Sequence, residues 1–325
     1  MSARVLVLGC GAVGGIFAAR LARVSEVAVL DTWTAHVRAI TARGLRVTVR
    51  AAARSGAMIR EAIDARPAAA AATAAALAGR AFTHALVAVK SPHTRAAVAG
   101  ARGLLEGAVV LTVQNGLGNA ETIAGEYPGP ICHGVTMNAG AVTAPGEITQ
   151  AEIGPTWLGP YRGGLAHAAA WNGLLSDAGL ENGVLADPRG AIWSKLIFNA
   201  AVNPLPVVTG LTLSGVYAHP ETYALLRTLV DEGRAVAAAR GIALTADPLA
   251  LIDEHRALGP AHTHQGSMKQ DVDRGRPTEI ETLTGALIAE ADRAGVPVPA
   301  LRTVYRLVKA IETAAVARGA SGAAP

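Results

Sequence analysis

The chain has 325 residues, 51% hydrophobic and 17% charged, which is enough apolar material for two cored domains and too little charge for a disordered chain. Its 29 basic and 25 acidic residues leave a formal net charge of +4 with no Lys/Arg block, which argues against nucleic acid as the main partner. Two cysteines, Cys10 and Cys132, are too few for a disulfide framework and lack metal-ligand spacing, so a reducing cytoplasm is the expected compartment and no metal site is expected.

The N-terminus passes directly into RVLVLG (Arg4 to Gly9), a predicted strand, without the charged region, apolar stretch and cleavage site of a signal peptide. VGGIFAARLARV then reads as a helix, EVAVLD (Glu26 to Asp31) as a strand and HVRAITARG as a helix. The alanine-rich stretch from Ala65 to Gly79 is interrupted by Pro67 and is too short to span a membrane; it is expected to be a low-complexity helical segment. ALVAVK (Ala85 to Lys90) and AVVLTVQNG (Ala108 to Gly116) are further strands. Continuous apolar strands separated by helices imply a parallel sheet covered on both faces. From about Gly134 to Gly159, Thr, Gly and Pro punctuate short alternating runs, as expected of strands closing that sheet.

Beyond about Asp187 the pattern is almost wholly helical, with apolar residues at three- and four-residue steps. The predicted helices are AIWSKLIFNAAV, PETYALLRTLVDEGRAVAAARG, Asp247 to Leu258, TEIETLTGALIAEADRAG and PALRTVYRLVKAIETAAVAR, and the tail after Arg318 is expected to fray. The fold class is therefore α/β, with residues 1–186 forming a dinucleotide-binding domain of Rossmann type and 187–325 an all-helical domain.

Gly9-Cys10-Gly11-Ala12-Val13-Gly14 is a G-x-G-x-x-G sequence between the first strand and the first helix, where glycines let backbone N–H groups and a helix N-terminus approach a pyrophosphate. Asp31 ends the second strand, 17 residues past Gly14, where a carboxylate accepts hydrogen bonds from the adenosine ribose hydroxyls. A 2′-phosphate there would meet a like charge, so Asp31 favours NAD(H) over NADP(H). Trp33 either flanks the adenine or is an exposed loop aromatic. Lys90, at the carboxyl end of its strand, lies where open parallel sheets place ligand contacts, and keeps NADP(H) open. Asn115, in QNGLG, either hydrogen-bonds the nicotinamide ribose or the substrate, or forms an Asn-Gly turn.

IWSKLIFNAAVNPL carries Lys195, Asn199 and Asn203 among apolar neighbours. At about 100° per residue they lie within about 80° of each other around a helix, hence on one side of it. A buried ammonium needs a carboxylate, a cofactor group or a wet cleft, the alternative being a solvated face. A second polar set, Ser267, Asp271 and Glu279, falls in GSMKQDVDRGRPTEIETL; Ser267 and Thr278 are equally candidates for helix caps, and Glu279 for a first-turn carboxylate.

Together these motifs, with AGVPVP at Ala294 to Pro299, resemble the ketopantoate reductase (2-dehydropantoate 2-reductase) family over nearly the full chain. The resemblance implies Lys195 as the catalytic general acid, Glu279 assisting it, and Asn115, Asn199, Asn203 and Ser267 around a small-molecule 2-oxo acid, by default 2-dehydropantoate reduced to (R)-pantoate in pantothenate biosynthesis. It implies NAD(P)H as hydride donor. NADPH-using members commonly carry an arginine just after the second strand, whereas this chain has LDTWTAH, which points toward NADH and toward an NAD-dependent D-2-hydroxyacid dehydrogenase acting on D-mandelate-like acids as the alternative. A β-hydroxyacid dehydrogenase and a non-catalytic NAD(P)-binding redox sensor are further alternatives; Ser267 to Glu279 argues against the first, and Lys195, Asn199 and Glu279 against the second. The apolar helical half suggests a homodimer, with no membrane partner.

Overall fold

Strand β1 (Arg4–Leu8) pairs in parallel with β2 (Glu26–Leu30), and helix α1 (Ala12–Leu21) makes the crossover between them. The computed structural model describes residues 3–52, 58–257 and 266–321. The chain divides into two compact units, Met1–Gln114 with Asn119–Pro188, and Asn115–Gly118 with Arg189–Pro325.

In the first unit, α2 (Thr34–Arg43) leads into a hairpin of β3 (Leu45–Ala52) and β4 (Met58–Ala65), followed by the short β5 (Ala69–Ala71). Then come β6 (His84–Val87), α3 (Thr94–Gly100), β7 (Val109–Thr112), α4 (Asn119–Glu126) and β8 (Ile131–Thr136). The unit closes with β9 (Ala139–Ala144), β10 (Glu147–Glu152), β11 (Thr156–Arg162), α5 (Leu165–Asp177) and β12 (Asn182–Val184). The main sheet has the order β12-β11-β8-β7-β6-β1-β2-β5 and is parallel from β8 to β5; β11 runs antiparallel to β8. Val5, Leu6, Val7, Leu86 and Leu111 are completely buried, as an apolar run must be when both faces of a parallel sheet are covered.

Two expectations fail here. The Ala65 to Gly79 stretch is not a helix: β5 hydrogen-bonds along β2 at the sheet edge, and only a 3-10 turn, Ala74–Leu77, follows. Alanine's helix preference is a fraction of a kcal/mol per residue, about 0.7 at most against ordinary residues, and Pro67 breaks the run, so pairing with an exposed strand edge wins. The segment from Gly134 to Gly159 does not close one sheet. Only β8 and β11 join the main sheet, while β9 and β10 extend the β3–β4 hairpin into a second sheet of order β4-β3-β10-β9. That sheet packs over α1, which is why the helix is buried from Gly14 to Leu21 and carries Gly15, where a Cβ would lie 2.1 Å from Ile148 Cδ1 of β10.

This unit also buries imidazoles. Burial pushes His133 down to about 4, beside the edge-on ring of Tyr161, and burial also lowers His36 and His84. An unfolded imidazole titrates near 6.5. Between that value and 4 the unfolded chain takes up a proton that folded His133 refuses, so stability falls as pH falls through this window. At pH 4 this one group accounts for roughly 3 kcal/mol. We expect His133→Phe to flatten the acid limb of a Tm-against-pH curve; an identical limb in wild type and variant would refute the assignment.

The second unit contains α6 (Arg189–Val202), α7 (Pro204–Thr209), α8 (Leu213–Ala218), α9 (Pro220–Ala239), α10 (Pro248–Ala257), α11 (Ser267–Asp273), α12 (Ala286–Ala294) and α13 (Pro299–Ser321). The stretch Arg189–Thr209 is long and apolar enough to cross a membrane but is mostly buried within this unit, so it serves as the core helix. Gly233 of α9 permits close crossing, since a Cβ there would lie 2.7 Å from Ile197 Cγ2 of α6. Glu232 on α9 accepts from the first-turn N–H groups of Ala300 and Leu301, 2.8 Å each, so a carboxylate from another helix caps α13 after AGVPVP. The α13 backbone stays helical through Ser321, into the tail expected to fray; residues 322–325 lie outside the described residues, as does Leu258 at the end of the helix expected from Asp247.

Candidate active site

The glycines between β1 and α1 are required for different reasons. Gly9 has φ +90°, and a Cβ there would sit 2.7 Å from Val89 Cγ1; a Cβ on Gly14 would fall 1.9 Å from the Gly9 carbonyl oxygen. Packing alone excludes side chains at both. At Gly11 a Cβ would meet no described atom within 4 Å, so the protein's own packing does not demand glycine there. Open space beside a half-buried Gly11-Ala12-Val13 rim, at the start of a helix whose first N–H groups have no intrahelical acceptor, is the cradle a pyrophosphate needs. The Cys10 side chain is buried, and burial followed by the nearby Asp31 charge raises its thiol far above the ordinary range, so it is an unreactive packing residue.

Asp31 is brought against this loop. Its Oδ2 accepts the Cys10 N–H at 2.7 Å and its Oδ1 the Trp33 N–H at 2.8 Å, which fixes the carboxylate while leaving lone pairs for a further donor. Trp33 is exposed and stacks on His36, with ring centroids 5.1 Å apart and planes 7° from parallel. Lys90 is exposed just before a 3-10 turn, Ser91–His93, three residues beyond the end of strand β6, which stops at Val87 rather than running to Lys90 as expected. A buried network organises this end of the sheet: Gln114 Nε2 donates to the Val89 carbonyl at 2.6 Å and to Thr94 Oγ1 at 2.8 Å, while Gln114 Oε1 accepts from Thr112 at 2.9 Å.

In the helical unit, α6 carries a half-buried Lys195 and a buried Asn199. Asn203, also half-buried, is at the N-cap of α7 with helical φ and ψ, and its N–H donates to the Asn199 carbonyl at 3.0 Å. The helical path is thus continuous from Lys195 to Asn203, and the three side chains project from one side, as their spacing predicts. Ser194 belongs to the scaffold: its hydroxyl donates to Gly190 O at 2.8 Å and accepts the Ala246 N–H at 3.1 Å.

Asn115 packs with these helices, and its Oδ1 lies 3.4 Å from Asn199 Nδ2, a long hydrogen bond. The cause is a feature the sequence conceals. The helix expected from Thr278 begins with a π-helical turn, Glu281–Gly285, in which Gly285 N–H bonds to the Ile280 carbonyl at 2.9 Å. The Thr282 carbonyl in this turn accepts the Leu117 N–H at 3.1 Å. Gly116, at φ +85°, passes so close that a Cβ would lie 2.2 Å from the same oxygen. The π turn therefore docks Asn115–Gly118 against the helices.

Glu279 is half-buried one residue before Ile280, and its carbonyl accepts from both Thr282 Oγ1 and Leu283 N–H, at 3.2 and 3.1 Å. Thr278 acts as the local cap, its hydroxyl accepting the Ile280 N–H at 3.2 Å. Ser267 is exposed and is not a cap: it is the first residue of α11, and Gly266, at φ +75°, holds the N-cap position. Asp271 is buried and paired with Arg276 at 3.3 Å. Of the expected site residues, the structure brings together Asn115 with Asn199, and Asp31 with Cys10. It sets Lys195, Asn203, Ser267 and Glu279 in the same helical unit. Sequence reasoning missed Gly116, Thr282 and the Gln114 network; the Asn-Gly step was the only visible signal for the first of these.

Two family models match this chain, the ketopantoate reductase PanE/ApbA model over residues 5–163 and the ketopantoate reductase PanE/ApbA C-terminal model over 187–312. A 2-dehydropantoate 2-reductase of Halobacterium salinarum is 33% identical over 69% of this chain and 74% of its own length. A PanE/ApbA family ketopantoate reductase structure from Ralstonia eutropha JMP134 has a TM-score of 0.83 at 30% identity, covering 96% of this chain and 99% of that one. A D-mandelate dehydrogenase with NADH and anilino(oxo)acetate shares the fold, with a TM-score of 0.85 at 23% identity and coverage of 96% and 99%. With a glycine-rich β1–α1 turn followed by a helical unit carrying Lys195, Asn199 and Glu279, and with matches along nearly its whole length, the chain belongs to the ketopantoate reductase family.

Proposed function

We propose that this protein reduces the ketone of a 2-oxo acid, with 2-dehydropantoate as substrate and (R)-pantoate as product, a step of pantothenate biosynthesis. The observation that carries the reading is the docking of Asn115 beside Asn199 on the helix bearing Lys195, in a chain whose relatives include a 2-dehydropantoate 2-reductase. A bound nicotinamide dinucleotide supplies the hydride, and Gly9, Cys10, Gly11, Ala12, Val13 and Gly14 are the residues that hold its pyrophosphate. As negative charge develops on the ketone oxygen, the Lys195 ammonium stabilises it and delivers the proton that completes the hydroxyl. Lys195 then regains a proton from solvent. Glu279 keeps the lysine charged and oriented. Asn115, Asn199, Asn203 and Ser267 orient the substrate through its carboxylate and distal hydroxyl, confining it to reactive geometry. The reading also places the protein in the cytoplasm, and makes it a homodimer, whose mass light scattering tests.

Asp31, fixed by Cys10 and Trp33, supports NADH as the donor, with Lys90 at the adenosine end. A second reading, a D-2-hydroxyacid dehydrogenase for mandelate-like acids, draws on the same residue. One assay separates them: oxidation of NADH and of NADPH with ketopantoate, benzoylformate, phenylpyruvate and branched 2-oxo acids. We expect ketopantoate with NADH to give the highest kcat/KM. Asp31→Ala should lower the NADH to NADPH preference about tenfold, the worth of a lost charge-assisted hydrogen bond. An unaltered ratio would count against ribose recognition by Asp31, and oxidation of neither cofactor with any acid would leave only a sensor role.

A further inference from the structure

The turn bearing Glu279 is held at both ends from α13. Glu312, buried on that helix, accepts the Thr278 N–H through Oε1 at 2.5 Å, one residue before Glu279. Its Oε2 accepts from Lys309 Nζ at 2.9 Å. Lys309 also bridges to Glu281 Oε1 at 2.9 Å, and the Tyr305 hydroxyl bonds to both Glu281 oxygens at 2.9 and 2.8 Å. Glu281 is the first residue of the π turn. The connected groups Thr278, Glu312, Lys309, Glu281 and Tyr305 therefore pin the backbone on each side of Glu279. Burial raises the Glu312 carboxyl, but the Thr278 amide and the Lys309 ammonium outweigh it and hold the group below its ordinary value, as expected for a carboxylate that stays charged.

We propose that Glu312 is a positioning residue that acts through Glu279, with Lys309 as the link that ties the π turn to the same anchor. Two observations separate this from ordinary surface pairing. Glu312 is 8% exposed, and its shortest contact is to backbone rather than to another mobile side chain. Three residues beyond Thr278, the same ion network fixes the start of an irregular turn at Glu281, a geometry that intrinsic helix propensity does not hold. A displacement of about 1 Å in a group near reacting atoms is enough to cost up to about a hundredfold in rate.

The inference rests on the assignment of Glu279 to catalysis, and a double-mutant cycle distinguishes the two. Full-length Glu312→Ala, Glu279→Ala and the double variant are assayed with ketopantoate and NADH, with Tm recorded for each. The expected result is a fall in kcat of about tenfold or more for Glu312→Ala, with the KM for NADH within about twofold of wild type, and no further fall when Glu279 is already alanine. Glu312→Gln, which retains an acceptor for the Thr278 amide, should recover most of the rate. Independent, additive losses would overturn the proposal, as would a normal kcat for Glu312→Ala while Glu279→Ala is impaired. Wild-type turnover by Glu279→Ala would instead remove the catalytic role of Glu279 and the positioning proposal with it. If Glu312→Ala does not fold, Lys309→Met carries the same cycle, with an expected loss of about threefold that vanishes in the Glu279→Ala background.

Discussion

Lys195→Ala is expected to lower kcat by about a thousandfold while leaving cofactor affinity nearly unchanged. A positioned general acid contributes about a hundredfold to ten-thousandfold, and a charge aimed at a developing oxyanion a similar amount. Because one ammonium serves both roles, its loss is a single event and the two factors do not multiply. The side chain is half-buried on a helix whose other faces are packed core, with Leu196, Ile197 and Ala200 buried beside it. Alanine removes the charge without opening that core, so Tm should change little. Lys195→Arg should rescue poorly, since a planar guanidinium does not occupy the place of a compact ammonium and does not give up its proton. Cofactor affinity is read separately by quenching of protein fluorescence on titration with NADH. Turnover within tenfold of wild type would end the role assigned to Lys195.

The second large effect is expected from a residue with no functional group. Gly116→Ala forces a side chain into φ +85°, costing about 1–2 kcal/mol in backbone terms, and places Cβ 2.2 Å from the Thr282 carbonyl oxygen. That oxygen is backbone and already accepts the Leu117 N–H, so it yields less readily than the tip of a flexible side chain. The Asn115–Gly118 segment must move instead, taking Asn115 away from Asn199, and kcat/KM should fall by about a hundredfold. Gly118 supplies the control. It has φ +89°, but a Cβ there meets no described atom within 4 Å, so Gly118→Ala carries the conformational penalty without the collision. If Gly116→Ala were no more damaging than Gly118→Ala, docking on the π turn would not matter to the reaction.

Much of this arrangement is legible in the residues. A burial period of one for β1 and β2 and a glycine pattern at the strand-to-helix turn specify a parallel sheet with an open, glycine-lined helix start, because each follows from local geometry. The single polar side of α6 is likewise a matter of helical repeat, and it survives the junction into α7 because Asn203 keeps helical dihedrals. The alanine run at 65–79 misleads for the opposite reason. Its local preference is weak, and a strand edge far away in sequence decides its conformation. The splitting of β9 and β10 into a second sheet is similar, since alternation marks a strand but not its partner.

By itself, then, the sequence determined the fold class, the glycine-rich turn between β1 and α1, the acid just after β2 and the helix face with Lys195, because periodicity and glycine chemistry act over a few residues. Only the tertiary structure decided that Asp31 lies against Cys10, that Asn115 joins the helical unit, and that α13 holds the turn of Glu279. Those pairings span 21, 84 and 34 residues. The first and third go to backbone groups, the Cys10 and Thr278 amides, and the segment of Asn115 is docked by another, the Thr282 carbonyl; nearly every residue carries such groups and no sequence pattern distinguishes them.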